Sequence, residues 1–178
     1  MYSLHAAPVL LTKRWPPVSS QCAFMGLWRY IFGNEGESAH EDVLCDLTAV
    51  FQEEARLGRQ IGEHAGRTPY PWMGELLHRL ADGHERRAAR LQKTLHALGR
   101  WVTQQDSETK VGKNNWTRLE TDLRECVALG RRYAEQAIRW DPALPDVVEM
   151  LWAFEKEVAQ ERDHLRDLAL RSDPLAID

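Results

Sequence analysis

Apolar residues recur at helical spacing in four long stretches of this chain. Residues three and four positions apart lie on the same side of an α-helix, so each stretch predicts one helix with an apolar face. The predicted helices cover about His40–Ala65, Trp72–Leu98, Asn115–Trp140 and Asp146–Leu170. Four helices of about 25 residues each are typical of a helix bundle, so we expect an all-α fold.

The connections between these helices differ in length. Gly66–Pro71 and Asp141–Pro145 are short and contain helix-breaking residues, so each predicts a tight turn within a helical hairpin. The middle connection, over about Val102–Asn115, is polar and has no sustained period. A helix of 25 residues is roughly 38 Å long, and about 16 extended residues reach roughly 50 Å. We therefore expect two helical hairpins joined by a long crossover.

The N-terminal part of the chain does not share the helical pattern. Pro16 and Pro17 forbid a continuous helix in residues 1–38. We expect these residues to form a partly disordered arm, followed by a four-helix bundle over 39–172 and a tail over 173–178.

Within this arm, the segment Met25–Phe32 can form a two-turn helix with one apolar face. That face consists of Leu27, Trp28, Ile31 and Phe32. The segment either caps the bundle or docks on a protein partner or a membrane surface.

Composition narrows the class of protein. At 178 residues the chain is the size of one domain, and its net charge of -4 argues against nucleic-acid binding. Cys22, Cys45 and Cys126 form no Cys-x-x-Cys pair and are odd in number, so we expect a reduced, cytoplasmic protein. No apolar run approaches the roughly 20 residues that a transmembrane helix needs.

Polar residues interrupt the apolar faces at a few positions. Glu54 and His84 do so in the first two helices, and Glu161 stands in the fourth where a leucine or valine is expected. A buried carboxylate needs a cation, a proton or a strong partner, because burying it unpaired is very costly. His164 follows one turn later and offers a nitrogen ligand. The spacing Glu161-x-x-His164 is that of a metal-ligand pair in a bundle, although a solvated helix edge has the same spacing.

The two predicted hairpins repeat each other. The stretch Leu80–Leu91 of the second helix matches Glu157–Leu168 of the fourth. In this alignment His84 corresponds to Glu161 and Arg87 to His164. The chain thus contains an internal duplication of one helical hairpin.

The number of residues between each candidate side chain and its turn predicts which of them lie at the same height in the bundle. Glu54 and His84 each lie 15 residues from the centre of the first turn, and Glu125 and Glu161 each lie 18 from the centre of the second. Residues equidistant from a turn lie at one height of an antiparallel hairpin. If the hairpins pack face to face, six side chains converge: Glu54, His84, Arg87, Glu125, Glu161 and His164.

These motifs resemble the ferritin-like superfamily, nearest its rubrerythrin-type half-repeat, over about residues 42–172. The matching positions are Phe51-x-x-Glu54 with Ala65 in the first helix, Glu125 with Tyr133 and Ala137 in the third, and Glu161-x-x-His164 in the fourth. The resemblance implies a ferritin-like four-helix bundle with a di-iron or di-manganese carboxylate centre. It implies an oxidoreductase acting on oxygen, peroxide or ferrous iron, in iron handling or oxidative stress. We also expect a homo-oligomer, such as a dimer.

The second helix departs from the family pattern. The family has a further Glu-x-x-His there, whereas this chain has His84 and Arg87. Arginine stays protonated and cannot bind a metal ion. Two divalent ions bring four positive charges, which three carboxylates beside an arginine do not balance. The candidate ligands are Glu54, His84, Glu125, Glu161 and His164, with Arg87 as a charge substitute and Tyr133 as a hydrogen-bond donor or core residue.

Three arrangements of this site remain open. In the first, one iron, manganese or zinc ion is held by His84, Glu125, Glu161 and His164. Arg87 then pairs with Glu54. In the second, Arg87 replaces the metal, and the chain is a metal-free scaffold or interaction module with a buried Arg-carboxylate-His network. In the third, a di-metal centre persists and recruits Glu53 or Glu85.

Three other residues are expected to have no part in this site. Cys126 is predicted to be a small core residue. His64 and His96 are predicted to lie at the surface or at a helix edge.

Overall fold

The apolar stretches of the sequence form four α-helices, and residues 36–172, which this computed structural model describes, contain no strand. The helices are α1 (Gly36–Arg67), α2 (Pro71–Ala97), α3 (Asn115–Trp140) and α4 (Pro145–Leu170). The prediction of an all-α fold with four helices is confirmed. Three of the four helices begin within one residue of the predicted start, while α1 begins four residues early, at Gly36.

The helices pack as a four-helix bundle made of two antiparallel pairs. Helix α1 packs along α2 and helix α3 along α4, while α1 also contacts α3 and α2 contacts α4. Asp46 near the start of α1 accepts a hydrogen bond from Trp140 at the end of α3, at 3.2 Å. Arg118 near the start of α3 donates to the carbonyl of Arg67 at the end of α1, at 3.3 Å. Helices α1 and α3 are therefore also antiparallel.

The apolar face of each helix lies inside the bundle. The fully buried side chains include Leu47, Ile61, Leu77, Leu91, Leu151, Phe154 and Leu165. Burying a leucine, isoleucine or phenylalanine side chain stabilises a fold by roughly 1.5–3 kcal/mol, so this core supplies the main driving force for the bundle.

Local sequence signals explain where the helices begin and end. Asn114 caps α3, because its side chain accepts a hydrogen bond from the backbone N–H of Thr117 at 2.9 Å. The hydroxyl of Thr117 in turn accepts a hydrogen bond from the backbone N–H of Asn114 at 3.0 Å. Gly99 follows α2 with a φ of 91°, a conformation that favours glycine. Gly66, which we expected to start the first turn, lies within α1 instead, because the helix continues to Arg67.

The connection over residues 98–114 lies beside α1. Gln52 donates a hydrogen bond to the carbonyl of Thr103 at 2.8 Å, and the backbone of Lys110 donates to Gln60 at 2.9 Å. The two contacts on α1 are about two turns apart, so the connection follows this helix rather than leaving the bundle.

Some sequence predictions concern residues beyond this description. Residues 1–35, which include the docking segment Met25–Phe32, and residues 173–178 lie outside the described part of the chain. Among the helices of residues 36–172, none combines the length and the apolar character needed to cross a membrane.

Two glycine-to-alanine substitutions test the account of the helix ends. Gly99→Ala should lower the free energy of unfolding by about 1 kcal/mol, because an L-residue is strained at this positive φ. Gly66→Ala is the matched control. Its added Cβ meets no atom within 4 Å, so better helix propensity should raise the stability by about 0.5 kcal/mol. Urea denaturation of both variants measures the difference, and equal effects would contradict the assignment.

Candidate functional site

Five buried polar side chains meet in the middle of the core and define what we call the Arg87 cluster. Its members are Glu54 of α1, His84 and Arg87 of α2, Tyr133 of α3 and Glu161 of α4. All four helices contribute, because each residue occupies an inward position between apolar neighbours of its own helix. The cluster therefore links the two hairpins at one level of the bundle.

The guanidinium of Arg87 lies between the two carboxylates. Its Nη1 and Nη2 donate to the two oxygens of Glu161, at 2.8 and 2.6 Å, which is the two-bond geometry that gives arginine–carboxylate pairs their strength. Its Nε donates to Glu54 at 2.7 Å. Burial alone would lower the pKa of Arg87, but the two carboxylates hold it above its ordinary value. This residue is a permanent buried cation.

Glu54 accepts hydrogen bonds from three side chains. Arg87 and Tyr133 both donate to its Oε1, and the Nδ1 of His84 lies 2.5 Å from its Oε2. Burial alone would raise the pKa of Glu54, but His84 and Arg87 outweigh it and hold this pKa below its ordinary value. Burial and the charge of Glu54 raise the pKa of Tyr133, so the phenol stays protonated and donates. Glu54 is therefore a fully partnered carboxylate.

His84 completes the cluster. Its Nδ1 lies 2.5 Å from Glu54 and 3.0 Å from the Nη2 of Arg87. Because the ionised carboxylate of Glu54 can only accept, this nitrogen carries the proton and donates to Glu54. The Nε2 lies 3.4 Å from an oxygen of Glu161 and 3.8 Å from the sulfur of Cys126. Burial, and then the charge of Glu161, raise the pKa of Cys126, which keeps a thiol proton available for this nitrogen. A neutral imidazole accepts from the thiol, whereas a charged one donates to the carboxylate.

These contacts leave little room for a metal ion. Both oxygens of Glu54 and both oxygens of Glu161 already accept hydrogen bonds, and Arg87 supplies the positive charge between them. Within the described residues, no group of three or more histidine, cysteine, aspartate or glutamate side chains is placed to hold a metal ion. The arrangement of these donors does not fit a metal centre.

Two of the residues that we expected at the site lie elsewhere. His164 is exposed, because Glu161 and Leu165 hold the inward face of α4 and His164 is turned about 60° from Glu161. Glu125 is only partly buried, because its neighbour Cys126 takes the inward position on α3. The expected convergence of six side chains therefore does not include Glu125 or His164.

The two carboxylates considered as extra ligands are also outside the Arg87 cluster. Glu53 pairs with Arg132 of α3 at 2.7 Å, and burial raises the pKa of Glu53. Glu85 is exposed on α2. Neither carboxylate replaces the ligands that Glu125 and His164 were expected to provide.

A second group of polar residues lies between α1 and α3 and was missed by the sequence interpretation. It consists of Gln60, His64, Asp122 and Glu125, and we call it the α1–α3 polar cluster. Gln60 donates to Asp122 at 2.8 Å and to Glu125 at 2.9 Å. Arg56 and Lys110 also contact Glu125, at 3.0 and 2.5 Å. Burial alone would raise the pKa of Glu125, but Lys110 and Arg56 hold it below its ordinary value.

The prediction that His64 lies at the surface or at a helix edge is wrong. His64 is buried, with Nδ1 2.8 Å from Asp122 and Nε2 2.9 Å from the carbonyl of Lys110. Both nitrogens face acceptors, so both contacts are hydrogen bonds only when each nitrogen carries a proton. The sequence contains a signal for the burial of His64 and Asp122. His64 lies three residues after Ile61 and Asp122 lies three after Leu119, so each shares a side of its helix with a core residue. His96 is partly buried and packs on the ring of Trp101.

Comparison with known proteins does not assign a family. No protein-family model matches this chain, and no curated protein matches it in sequence.

Gly83 tests the packing of the Arg87 cluster. A Cβ added at Gly83 would overlap an oxygen of Glu161 and lie 3.5 Å from Arg87, so Gly83→Ala should lower the free energy of unfolding by about 2 kcal/mol. Gly62→Ala is the matched control, because its added Cβ would make only an ordinary contact with Ala81. Both changes raise helix propensity, so denaturation curves isolate the effect of the cluster. Equal stabilities would contradict the described packing.

The low pKa of Glu54 predicts a pH dependence of stability. A carboxylate whose pKa is lowered on folding stabilises the fold above its unfolded pKa, and this contribution is lost as the pH falls. Glu54→Gln should therefore weaken the fold by roughly 3 kcal/mol at pH 7. The effect should shrink progressively as the pH falls below the ordinary glutamate pKa of about 4, because the wild type then begins to lose the same contribution. Denaturation curves between pH 3 and 7 measure this, with the exposed Glu75→Gln as control. A loss that does not change with pH would refute the assignment.

Proposed function

We propose that this chain is a ferritin-like bundle that works without a bound metal, as a scaffold or protein-interaction module. One observation carries the proposal: the guanidinium of Arg87 lies between Glu54 and Glu161 and contacts both within 2.8 Å. In this view the arginine occupies the place that metal ions take in the proteins that the sequence resembles.

The proposal includes the ferritin-like topology of two hairpins joined by a long crossover. Helix α1 is antiparallel to both α2 and α3, as its contacts with α3 support. The connection over residues 98–114 would then begin at one end of the bundle and finish at the other. Its hydrogen bonds to Gln52 and Gln60, which follow one another along α1, support such a path.

A guanidinium suits this place for physical reasons. It is planar, remains charged and has five N–H donors, so it can bind two carboxylates at once without a second cation. Removing one partner of a buried ion pair typically costs about 3–5 kcal/mol, because the remaining charges stay buried. Arg87 would thus fix how the helices pack, which is the property that a scaffold requires.

A second candidate function is metal binding, in an oxidoreductase that acts on iron, oxygen or peroxide. It is favoured by the position of His84 between two carboxylates, 2.5 Å from Glu54 and 3.4 Å from Glu161. Iron or manganese could bind these three residues only if Arg87 left both carboxylates. The candidate therefore requires a different arrangement of the cluster.

Metal analysis separates the two candidates. The full chain would be produced in medium supplemented with iron and manganese, and its metal content measured with that of Glu161→Ala. We expect substoichiometric metal in the wild type, because Arg87 already occupies the carboxylate oxygens of Glu161, and in Glu161→Ala, which lacks this carboxylate. Calorimetric titration with Fe²⁺ and with Mn²⁺ should likewise give no stoichiometric binding.

The exposed Glu75→Ala is the matched control for loss of a carboxylate on the same bundle. About one equivalent of metal in the wild type and in Glu75→Ala, lost in Glu161→Ala, would overturn the proposal. That result would establish the metal-binding candidate and justify assays with peroxide and ferrous iron.

A further inference from the structure

The connection between α2 and α3 is held against α1 by hydrogen bonds at several points. The side chain of Gln52 donates to the carbonyl of Thr103 at 2.8 Å and accepts from the backbone N–H of Gln105 at 2.9 Å. About three turns further along α1, Glu63 accepts a hydrogen bond from the hydroxyl of Thr109 at 2.8 Å. The part of the connection between these points therefore lies on α1.

At Lys110 both backbone groups of the connection meet side chains of α1. The N–H of Lys110 donates to Gln60 at 2.9 Å, and its carbonyl lies 2.9 Å from the Nε2 of His64. The ammonium group of Lys110 lies 2.5 Å from Glu125 of α3. Lys110 and Glu125 both line a cavity of about 160 Å³ between α1 and α3. A movement of Lys110 away from α1 therefore opens this cavity.

His64 lies between two hydrogen-bond acceptors inside the protein. Its Nδ1 lies 2.8 Å from a carboxylate oxygen of Asp122, and its Nε2 faces the carbonyl of Lys110. Neither an ionised carboxylate nor a carbonyl has a proton to donate. Only the imidazolium form of His64, which carries a proton on each nitrogen, makes both hydrogen bonds.

Loss of one proton from His64 removes the contact with the connection. Asp122 is fully buried, and its other oxygen accepts a hydrogen bond from Gln60 at 2.8 Å. The remaining proton of a neutral imidazole therefore stays on Nδ1, where it serves the charged acceptor. The Nε2 then directs a lone pair at the carbonyl of Lys110, and the two acceptors repel each other.

The charged groups around His64 come from α1, α3 and the connection. They are Arg56, Glu63 and Arg67 of α1, Arg118, Asp122 and Glu125 of α3, and Lys110 of the connection. Glu125 is paired with Arg56 and Lys110, at 3.0 and 2.5 Å, whereas Asp122 is directed at His64. Helix α2 packs against this end of α1 through the uncharged Gly74, which lies beside the carbonyl of Ala65. Asp122 is therefore the carboxylate that favours the charged form of His64.

We propose that His64 is a pH-sensitive switch that holds the connection against α1. When His64 is charged, it binds Asp122 and the carbonyl of Lys110 together. When His64 is neutral, Lys110 is released and the cavity between α1 and α3 opens. This inference goes beyond the proposed scaffold function, and it holds whether or not the Arg87 cluster binds a metal.

Amide hydrogen exchange of the full chain tests the switch between about pH 5.5 and 8.5, the range in which histidine ordinarily changes its charge. The protection factor of the Lys110 amide, which corrects for the intrinsic effect of pH on exchange, should fall about tenfold as the pH rises, since opening is then coupled to the loss of one proton. The Gln105 amide is the internal control. It is bound to Gln52 rather than near His64, so its protection should not change.

Substitutions show whether His64 is the group that titrates. His64→Gln should make the protection of the Lys110 amide independent of pH, while the exposed His78→Gln should keep the wild-type profile. Asp122→Asn keeps an acceptor beside His64 but removes its charge, so the fall in protection should occur at lower pH.

Two results would refute the switch. One is a Lys110 amide whose protection in the wild type stays constant over the whole range, which needs no variant to observe. The other is a fall in protection that remains the same in His64→Gln or, if that variant does not fold, in Asp122→Asn.

Discussion

The buried pairing of Arg87 with Glu54 and Glu161 is the interaction on which the arrangement of this bundle depends. Each of these charges would be very costly inside the core on its own, and each is acceptable only because the other two are in place. Since the three residues come from α1, α2 and α4, their pairing fixes three helices relative to one another. Tyr133 brings in α3 through its bond to Glu54. A directional polar contact therefore specifies a packing that apolar contacts alone would leave less well defined.

Apolar and polar contacts have different roles in this fold. Within each hairpin the helices lie against one another over most of their length, through leucine-rich faces. The contacts between the hairpins are rich in charged and polar pairs, namely Asp46–Arg139, Glu53–Arg132, Arg56–Glu125, His64–Asp122 and Arg87–Glu161. Hydrophobic burial thus forms the hairpins, and hydrogen-bonded charges set how they meet. The connection over residues 98–114 covers part of this polar boundary through its contact with His64.

Periodicity predicted the helices well, because apolar spacing and helix-breaking residues are local properties of a sequence. It also found Glu54, His84 and Glu161, since a polar residue within an apolar row must face the core. It failed for Glu125 and His164, because a small rotation around the helix axis decides between core and surface. Cys126 takes the inward position beside Glu125, and His164 is turned about 60° from Glu161. It missed His64 and Asp122, because the predicted inward face of each helix was defined by its apolar residues alone. The role of Arg87 was left among three arrangements, since the sequence does not show which atoms a guanidinium reaches.

The most direct test of this account is anomalous diffraction from crystals of the full chain grown with excess Mn²⁺. The account predicts electron density for the Arg87 guanidinium between Glu54 and Glu161, and no anomalous peak at that place. A manganese peak bounded by Glu54, His84 and Glu161, with the Arg87 side chain displaced from both carboxylates, would contradict it.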